Sequence, residues 1–319
     1  MFKTALGYFF LQLSVVGLVI NFLVLITLIR LMKKSDKHSV HLISIFIMVN
    51  DIISLIFDLC YFSPSVISSN YLVSDRLDSP AVKLIASVDL FTWHMTNFLL
   101  FIMVLNRLVL VVFNVENFFT KTKVYIYMVF AIVGSVAKIA IDLLVLPCCL
   151  YLLDWQRFGY TPLKPENQKK LVDLSNLVIE ASFFGIVIIL YLVIFISIHK
   201  SHKSVEQSAD SKFHQKIRAR ERSYSVQFAY ISVFFMFSYS SFRLLPYVFG
   251  ENCTDCHVIV PVSYAISCTA NASIYISLAQ EVRHELFKKI FKNNSVESNY
   301  ENGAPVPPGL NPEQLQQIF

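Results

Sequence analysis

Seven long apolar runs are the feature of this sequence that most limits how the chain folds. Each run is long enough for a helix to cross the hydrocarbon core of a bilayer, which takes about 20 residues. The runs are continuous rather than alternating, which argues against a β-barrel. They lie at about residues 6–31, 41–67, 82–113, 124–150, 173–198, 224–249 and 258–280. The sequence therefore predicts an all-α protein, a seven-transmembrane helix bundle.

The composition agrees with lipid as the solvent. Of the 319 residues, 55% are hydrophobic and 15% are charged, whereas soluble domains are about 45–50% apolar and about 25% charged. The bundle occupies residues 6–280, which leaves no room for a separate catalytic domain. His94 and His257 have no obvious catalytic or metal-binding partners in the sequence. We therefore expect no enzymatic activity, no metal site and no nucleic-acid partner.

The basic residues predict the orientation. The loops after spans 1, 3 and 5, together with the C-terminal segment, hold 18 of the 27 Lys and Arg residues. Cytoplasmic loops are enriched in these residues. We predict a multi-pass protein of the plasma membrane, with residues 1–5 as an extracellular N-terminus and the C-terminus in the cytoplasm.

The segment after the last span predicts a short eighth helix. Residues 281–292 place apolar side chains on one side and basic side chains on the other, which is typical of an amphipathic helix lying on membrane lipids. Residues 293–319 contain four prolines and little apolar surface. We predict that this tail is disordered in the cytoplasm.

The loop before the last span carries a glycosylation sequon and a cysteine pair. Asn252 begins the sequon, which favours an extracellular loop and makes the protein a glycoprotein. Cys253 and Cys256 are spaced for a local disulfide or for half of a zinc site, but a second ligand pair is missing. We predict the disulfide. The sequence leaves open whether Cys148 or Cys149 also forms one.

Several polar residues lie at the middle of the spans, where they are costly. Asn21, Asp51 and Asn271 lie midway along spans 1, 2 and 7, and Thr96 and Ser267 reach the same depth. One interpretation is a hydrated polar core that rearranges between two states and holds a sodium ion near Asp51. The alternative is polar contacts between helices, worth about 0.6 kcal/mol each. We favour the first, because a buried carboxylate needs a partner.

A second polar group lies towards the outer ends of the spans. Asp89 precedes Arg107 by five helical turns on one face of span 3, and Trp93 follows Asp89 by one turn. Glu180 and Arg243 lie in the outer halves of spans 5 and 6, where they either line a pocket or pair with each other. We predict a ligand-binding site formed by Asp89, Trp93, Glu180 and Arg243. The alternative for Asp89 is simple solvation at the outer end.

Span 4 contains two charges of opposite sign. Lys138 and Asp142 are four residues apart, a spacing that favours an ion pair within the helix. The sequence leaves open whether Lys138 or Arg243 instead neutralises Asp89. A neutralised Asp89 would favour a neutral or acidic ligand, and a free Asp89 would favour a cationic one.

These motifs together resemble those of rhodopsin-like G-protein-coupled receptors, over about residues 6–292. Five segments match the family pattern in the right spans and order: Gly17-x-x-x-Asn21, Asn50-Asp51, Asn106-Arg107-Leu108, Leu245-Pro246-Tyr247 and Asn271-Ala-Ser-Ile-Tyr275. The short N-terminus and the many Phe and Tyr residues are most similar to nematode serpentine chemosensory receptors.

The resemblance implies a chemosensory receptor that binds a small-molecule or peptide ligand and activates a heterotrimeric G protein. Arg107 and Tyr275 would be switch residues. The basic loop between spans 5 and 6 would supply the coupling surface, with Arg218, Arg220 and Arg222. The same basic side chains also attract anionic lipid. The alternative function is an ion-coupled transporter or channel that uses the intramembrane carboxylates as its path.

The chain also departs from the family pattern. Asn106 replaces the acid that precedes Arg107 in the family, and Val82 stands where the family has a cysteine bridged to the second extracellular loop. Ala265 occupies the position at which an opsin carries its retinal lysine. No retinal is therefore expected, and no cofactor other than the sodium ion is predicted.

Overall fold

The computed structural model describes residues 2–34, 39–113, 115, 118–144, 151–162, 169–205, 212–249 and 257–292. The helices are α1 (Phe2–Lys34), α2 (Ser39–Phe57), α3 (Ser63–Ser68), α4 (Pro80–Val111), α5 (Lys121–Leu144), α6 (Lys169–Val205), α7 (Lys212–Phe249), α8 (Ile259–Leu278) and α9 (Gln280–Lys292). A π-helical turn, Asp58–Phe62, joins α2 to α3, and two strands, β1 (Tyr151–Asp154) and β2 (Gly159–Pro162), follow α5.

Within the described residues, six helical segments are long and apolar enough to cross a membrane. They correspond to predicted spans 1 to 5 and 7. The sixth predicted span lies in α7, whose inward face carries polar residues such as Gln227, Ser232 and Ser238, all buried. These residues lower the mean hydropathy of α7, although its 38 residues are ample for a span. The predicted seven-helix bundle is confirmed.

The second span is not one regular helix. Towards its C-terminal end the Ser63 backbone N–H donates to the carbonyl of Asp58, which widens the turn. Pro64 follows directly and has no N–H to donate to the carbonyl of Cys60, so a regular helical bond is lost there. The wide turn places Asp58 and Tyr61 in the protein interior.

The distribution of apolar side chains fits a lipid environment. Large apolar residues are exposed on the outward faces of α1, α5 and α6, as with Val19, Phe130 and Phe195. A soluble protein of this size would rarely show such continuous apolar surface. The buried core lies between the helices and includes Leu28 and Met48.

A β-hairpin covers one end of the bundle, which is called the outer end because the basic residues predict that it faces outside the cell; the opposite end is called the inner end. β1 and β2 are antiparallel, with Leu153 opposite Tyr160 and Asp154 opposite Gly159. The carboxylate of Asp154 accepts hydrogen bonds from the hydroxyls of Tyr71, at 2.9 Å, and Thr161, at 3.1 Å. This anchoring holds the hairpin in a chain that lacks the span-3 cysteine of the family pattern. The hairpin was not predicted. The last part of predicted span 4, residues 145–150, lies outside the described residues, in which α5 extends to Leu144.

The eighth helix of the prediction corresponds to α9. Ala279 adopts an extended conformation that separates α8 from α9. Val282 is buried, and Lys34 of α1 donates to Glu285 at 2.6 Å. The predicted disordered tail, residues 293–319, lies outside the described residues and stays a prediction, as do the other predicted segment limits.

Candidate functional site

A cavity lies at the outer end of the bundle between α4, α5, α6, α7, α8 and the hairpin. The empty space between its walls is about 580 Å³, a volume that includes the open mouth. All four residues of the predicted ligand site line it: Asp89, Trp93, Glu180 and Arg243. The structure therefore brings together residues that are far apart in the sequence.

The two cations of this cavity each pair with an acid other than Asp89. The Nε atom of Arg243 donates to Glu180 at 3.0 Å, and its Nη1 atom donates to the Tyr151 hydroxyl at 3.0 Å. Lys138 contacts both carboxylate oxygens of Asp142, at 2.5 and 2.7 Å. In this structure, then, neither cation neutralises Asp89.

Asp89 is buried, and Tyr160 of β2 lines the same cavity. Asp58 lies close enough for the two carboxylates to interact electrostatically. Among the residues that the structure describes, no Lys, Arg or His forms an ion pair with Asp89. Solvation at the outer end, the alternative interpretation, does not fit a side chain buried to this degree.

Aromatic rings form much of the cavity wall. The indole of Trp93 contacts the rings of Phe235, Tyr264 and Phe242, with centroids 5.0, 5.4 and 5.8 Å away. The guanidinium of Arg243 lies 5.3 Å from the ring centroid of Phe242 and 5.7 Å from that of Tyr151. The protein's own cation therefore already contacts part of the aromatic surface.

His94 also lines the cavity, although the sequence analysis assigned it no role. Its Nε2 atom is 3.7 Å from a carboxylate oxygen of Asp142, beyond hydrogen-bonding distance. The side chain is buried, so any ligand that reaches the α5 side of the cavity meets an imidazole beside the Lys138–Asp142 pair.

A second, smaller cavity lies deeper in the bundle, around Asp51. The amide of Asn271 donates to Asp51 at 2.8 Å, and that of Asn50 donates to the Thr96 hydroxyl at 2.8 Å. The side-chain oxygens of Asn50 and Asn271 are buried and have no donor among the described residues. A carboxylate beside two amide oxygens that lack donors is chemically suited to a hard cation such as sodium.

Two members of the predicted polar core lie outside this second cavity. Asn21 donates to the backbone carbonyls of Gly17 and Cys268, at 2.9 and 3.2 Å, and so joins α1 to α8. Ser267 is buried on α8. Asn21 therefore matches the alternative interpretation, a polar contact between helices.

At the inner end, Arg107 is fully buried and lies over aromatic rings of α7. Its guanidinium carbon is 5.1 Å from the ring centroid of Phe228 and 5.5 Å from that of Tyr224. The Tyr224 hydroxyl donates to Glu281 of α9 at 3.0 Å, and the Tyr275 hydroxyl donates to Ser44 at 2.6 Å. The two predicted switch residues thus lie in a set of ring and hydroxyl contacts.

Some predicted site residues lie where the structure gives no side-chain description. Arg218, Arg220 and Arg222 belong to α7, but their side chains lie outside the described part. Asn252, Cys253 and Cys256, with Cys148 and Cys149, also lie outside the described residues. These assignments stay predictions.

Two comparisons with known proteins found matches. A family described as serpentine type 7TM GPCR chemoreceptor Srx matches residues 11–277. The crystal structure of squid rhodopsin is similar to this chain with a TM-score of 0.68 at 14% sequence identity, over 95% of this chain and 92% of the rhodopsin chain. At that identity the likeness shows the fold alone. A comparison with curated proteins found no match.

Proposed function

Because the chain belongs to the Srx family of serpentine seven-transmembrane GPCR chemoreceptors, we propose that it detects a small extracellular cation and passes the signal to a heterotrimeric G protein. The protein is a multi-pass membrane receptor with a rhodopsin-like fold. The cavity under the hairpin is the ligand site of this proposal, and the cavity mouth faces the extracellular side.

The observation that carries the cationic ligand is the charge balance of the cavity. Arg243 with Glu180 and Lys138 with Asp142 form two ion pairs, and each pair is neutral. Among the described residues that line the cavity, Asp89 is the acid that remains. A buried carboxylate without a counter-charge is unfavourable, so a cation that enters the cavity gains an attraction that a neutral molecule does not. Contact with Trp93 would add about 0.5–2 kcal/mol by cation–π attraction.

The test uses a cysteine as a reporter in the cavity. Val260 lines the cavity at the outer end of α8, and Val260→Cys is a small change. The rates of reaction with an ethylammonium and an ethylsulfonate methanethiosulfonate are compared, each relative to a free thiol. We expect the cationic reagent to be favoured several-fold, and we expect Asp89→Asn to abolish the preference.

The control is Asp75→Asn, which removes the same charge from an exposed residue outside the cavity. It should leave the preference unchanged. A cation preference that survives Asp89→Asn would contradict the proposed site.

G-protein coupling is assigned to the opposite end of the bundle. Arg107 is buried there beside α7, and α7 continues from Lys212 through Arg218, Arg220 and Arg222. We expect that replacing these three residues with Gln lowers the ligand-stimulated binding of a radiolabelled GTP analogue. The variant and the parent are compared at equal amounts on the cell surface. A transporter or channel would give no such binding, so the same assay separates the two functions.

The sodium ion belongs to this proposal as a regulator. The suggested site consists of Asp51 with the oxygens of Asn50 and Asn271, between the ligand cavity and Arg107. The family is a receptor family, and we expect no enzymatic activity from any of these sites.

A further inference from the structure

Two nitrogen atoms on the α5 side of the ligand cavity have no part in the cation site. They belong to His94 of α4 and Lys138 of α5, and both residues line the cavity. The Nζ atom of Lys138 is 2.7 Å from the Oδ2 atom of Asp142, and the Nε2 atom of His94 is 3.7 Å from the same oxygen. The two nitrogens are therefore close neighbours at one place in the cavity wall.

The Nε2 atom of His94 is a buried donor that lacks an acceptor. His94 is only 9% exposed, and its Nε2 atom has no hydrogen-bond partner among the described residues. The proton of the ring is favoured on Nε2, because a lone pair there would be repelled by the Asp142 carboxylate. A buried donor without an acceptor is unfavourable, so a ligand that supplies an acceptor at this point removes that cost.

Lys138 supplies a second donor. An ammonium group has three N–H groups. Within the part of the chain that the structure describes, its hydrogen bonds go to the two oxygens of a single carboxylate, that of Asp142. The Lys138 side chain is also 28% exposed. One N–H group is therefore available to a ligand in the cavity.

The charge of the cavity decides which kind of acceptor fits. The pairs Lys138–Asp142 and Arg243–Glu180 are each neutral, so Asp89 leaves the cavity with an excess of negative charge. A carboxylate or phosphate group of a ligand would be repelled by it. A carbonyl oxygen carries no net charge, and its two lone pairs can accept from two donors at once.

We propose that His94 and Lys138 form a carbonyl-binding subsite, so that the ligand carries a ketone, ester or amide oxygen. The subsite rests on the proposed function of the cavity as the ligand site, and it adds a chemical requirement to that function. It is separate from Asp89, which lies five residues earlier on α4, about 7.5 Å away along the helix axis. The subsite and the cation site can therefore be tested independently.

The experiment measures how well two neutral molecules protect a cysteine in the cavity from methyl methanethiosulfonate, a neutral reagent. Leu90 lines the cavity one helical turn before His94, so Leu90→Cys is the reporter. The two molecules are cyclohexanone and methylenecyclohexane, which share a shape and differ in having C=O or C=CH2. Reaction of the native cysteines is measured in the parent receptor and subtracted.

The quantity compared between receptors is the ratio of the two half-protecting concentrations, in which the unequal partition of the molecules into lipid cancels. We expect His94→Leu to raise the half-protecting concentration of cyclohexanone about two- to tenfold, the range of one hydrogen bond. That of methylenecyclohexane should change less than twofold. His94→Gln, which puts an amide N–H group in place of Nε2, should restore protection by the ketone.

Ser238→Ala is the matched control. Ser238 also lines the cavity, but its hydroxyl already donates to the carbonyl of Ser263 at 2.8 Å. Its loss should leave the ratio unchanged. If His94→Leu does not reach the membrane, His94→Met also removes the donor, with a flexible side chain, and should give the same shift.

The outcomes distinguish the carbonyl subsite from the proposed cation site. A ratio that is the same in His94→Leu as in the parent, or that Ser238→Ala shifts equally, overturns the subsite, as does a lack of protection by cyclohexanone in the parent. None of these results changes the charge preference measured with the methanethiosulfonate ions. Asp89→Asn should leave the ratio within twofold of the parental value, and a larger change would show that the ketone binds at Asp89 and not at His94.

Discussion

The two ends of the bundle are held together by different kinds of contact. At the outer end a buried ion pair, Arg243 with Glu180, joins α7 to α6, and Tyr151 of the hairpin bonds to the same guanidinium. At the inner end α7 meets its neighbours through the rings around Arg107 and through the bond from Tyr224 to Glu281. Breaking a buried ion pair costs about 3–5 kcal/mol, whereas a ring or hydroxyl contact is worth about 1 kcal/mol.

This difference suits a receptor. A binding cavity discriminates best when its walls are fixed, and ion pairs across helices fix them. A switch works only if its two states differ by a few kcal/mol, because a ligand shifts the equilibrium by its difference in affinity and no more. Contacts of about 1 kcal/mol keep the inner end within that range. Substitutions at the two ends should therefore differ in their effects on folding and on basal signalling.

Arg243→Gln should have the largest effect, and the effect should be on folding. It leaves Glu180, whose side chain is only 19% exposed, without its cation, so we expect a loss of up to about 3–5 kcal/mol. The thermal unfolding of detergent-solubilised receptor and its amount at the cell surface measure the loss.

The double variant Glu180→Gln with Arg243→Gln is the control for this prediction. It removes both charges and should recover much of the stability, because no unpaired charge stays buried. A single variant as stable as the parent would show that the outer end does not depend on the ion pair, and the contrast between the ends would then fail.

The sequence predicted much of the fold, and it identified four residues that line one cavity in the structure. Continuous apolar runs locate membrane helices directly, since lipid demands both the length and the composition. Asp89 and Trp93 lie on one helix, so helical spacing alone placed them together. Glu180 and Arg243 were identified because charges within spans are rare.

The sequence did not predict which side chains these residues contact. Arg243 and Glu180 are 63 positions apart, and which of two acids takes the arginine depends on how α6 and α7 pack. Tyr160 lies in a segment whose strands are too short for a clear pattern, so nothing in the sequence places it at the cavity. Asp58 turns inward because the helix widens before Pro64, and the apolar pattern of the sequence does not predict this wide turn.

Phe228→Leu should raise basal signalling and barely affect folding. It removes one of the rings beneath Arg107, a contact worth about 0.5–2 kcal/mol. We expect basal GTP-analogue binding in membranes to rise about two- to tenfold. The control is Phe10→Leu, which removes an equally buried ring on α1, far from Arg107. If both variants raise basal binding equally, the effect is general loosening and not release of the switch.

Asp51→Asn should have a smaller effect, confined to the response to sodium. With sodium bound near Asp51, basal GTP-analogue binding in the parent should fall about two- to threefold between low and high sodium chloride, relative to potassium chloride. The variant should lose this difference, because it lacks the charge, while Asn50 and Thr96 keep their bond. A variant with the sodium response of the parent would remove the ion from the proposal.

Lys34→Gln should have the smallest effect, because the pair it breaks lies at the surface of the inner end. Lys34 bonds to Glu285 at 2.6 Å, but its side chain is 57% exposed, and exposed ion pairs contribute at most about 1 kcal/mol. The hydrogen bond from Lys34 lowers the pKa of Glu285 from its usual value of 4.5. The stabilisation by the Lys34–Glu285 pair is therefore complete at pH values above the usual pKa of 4.5, and it is lost as the pH falls through the lowered pKa of Glu285.

At pH 7, then, Lys34→Gln should lower the thermal unfolding temperature only slightly, and the difference from the parent should vanish in acid. Basal GTP-analogue binding should stay at the parental level, since Tyr224 still donates to Glu281 and keeps α7 joined to α9. The opposite result would be informative about the whole inner end. If Lys34→Gln raised basal binding more than Phe228→Leu, the position of α9 on the membrane would control the switch, and the rings around Arg107 would be secondary to it.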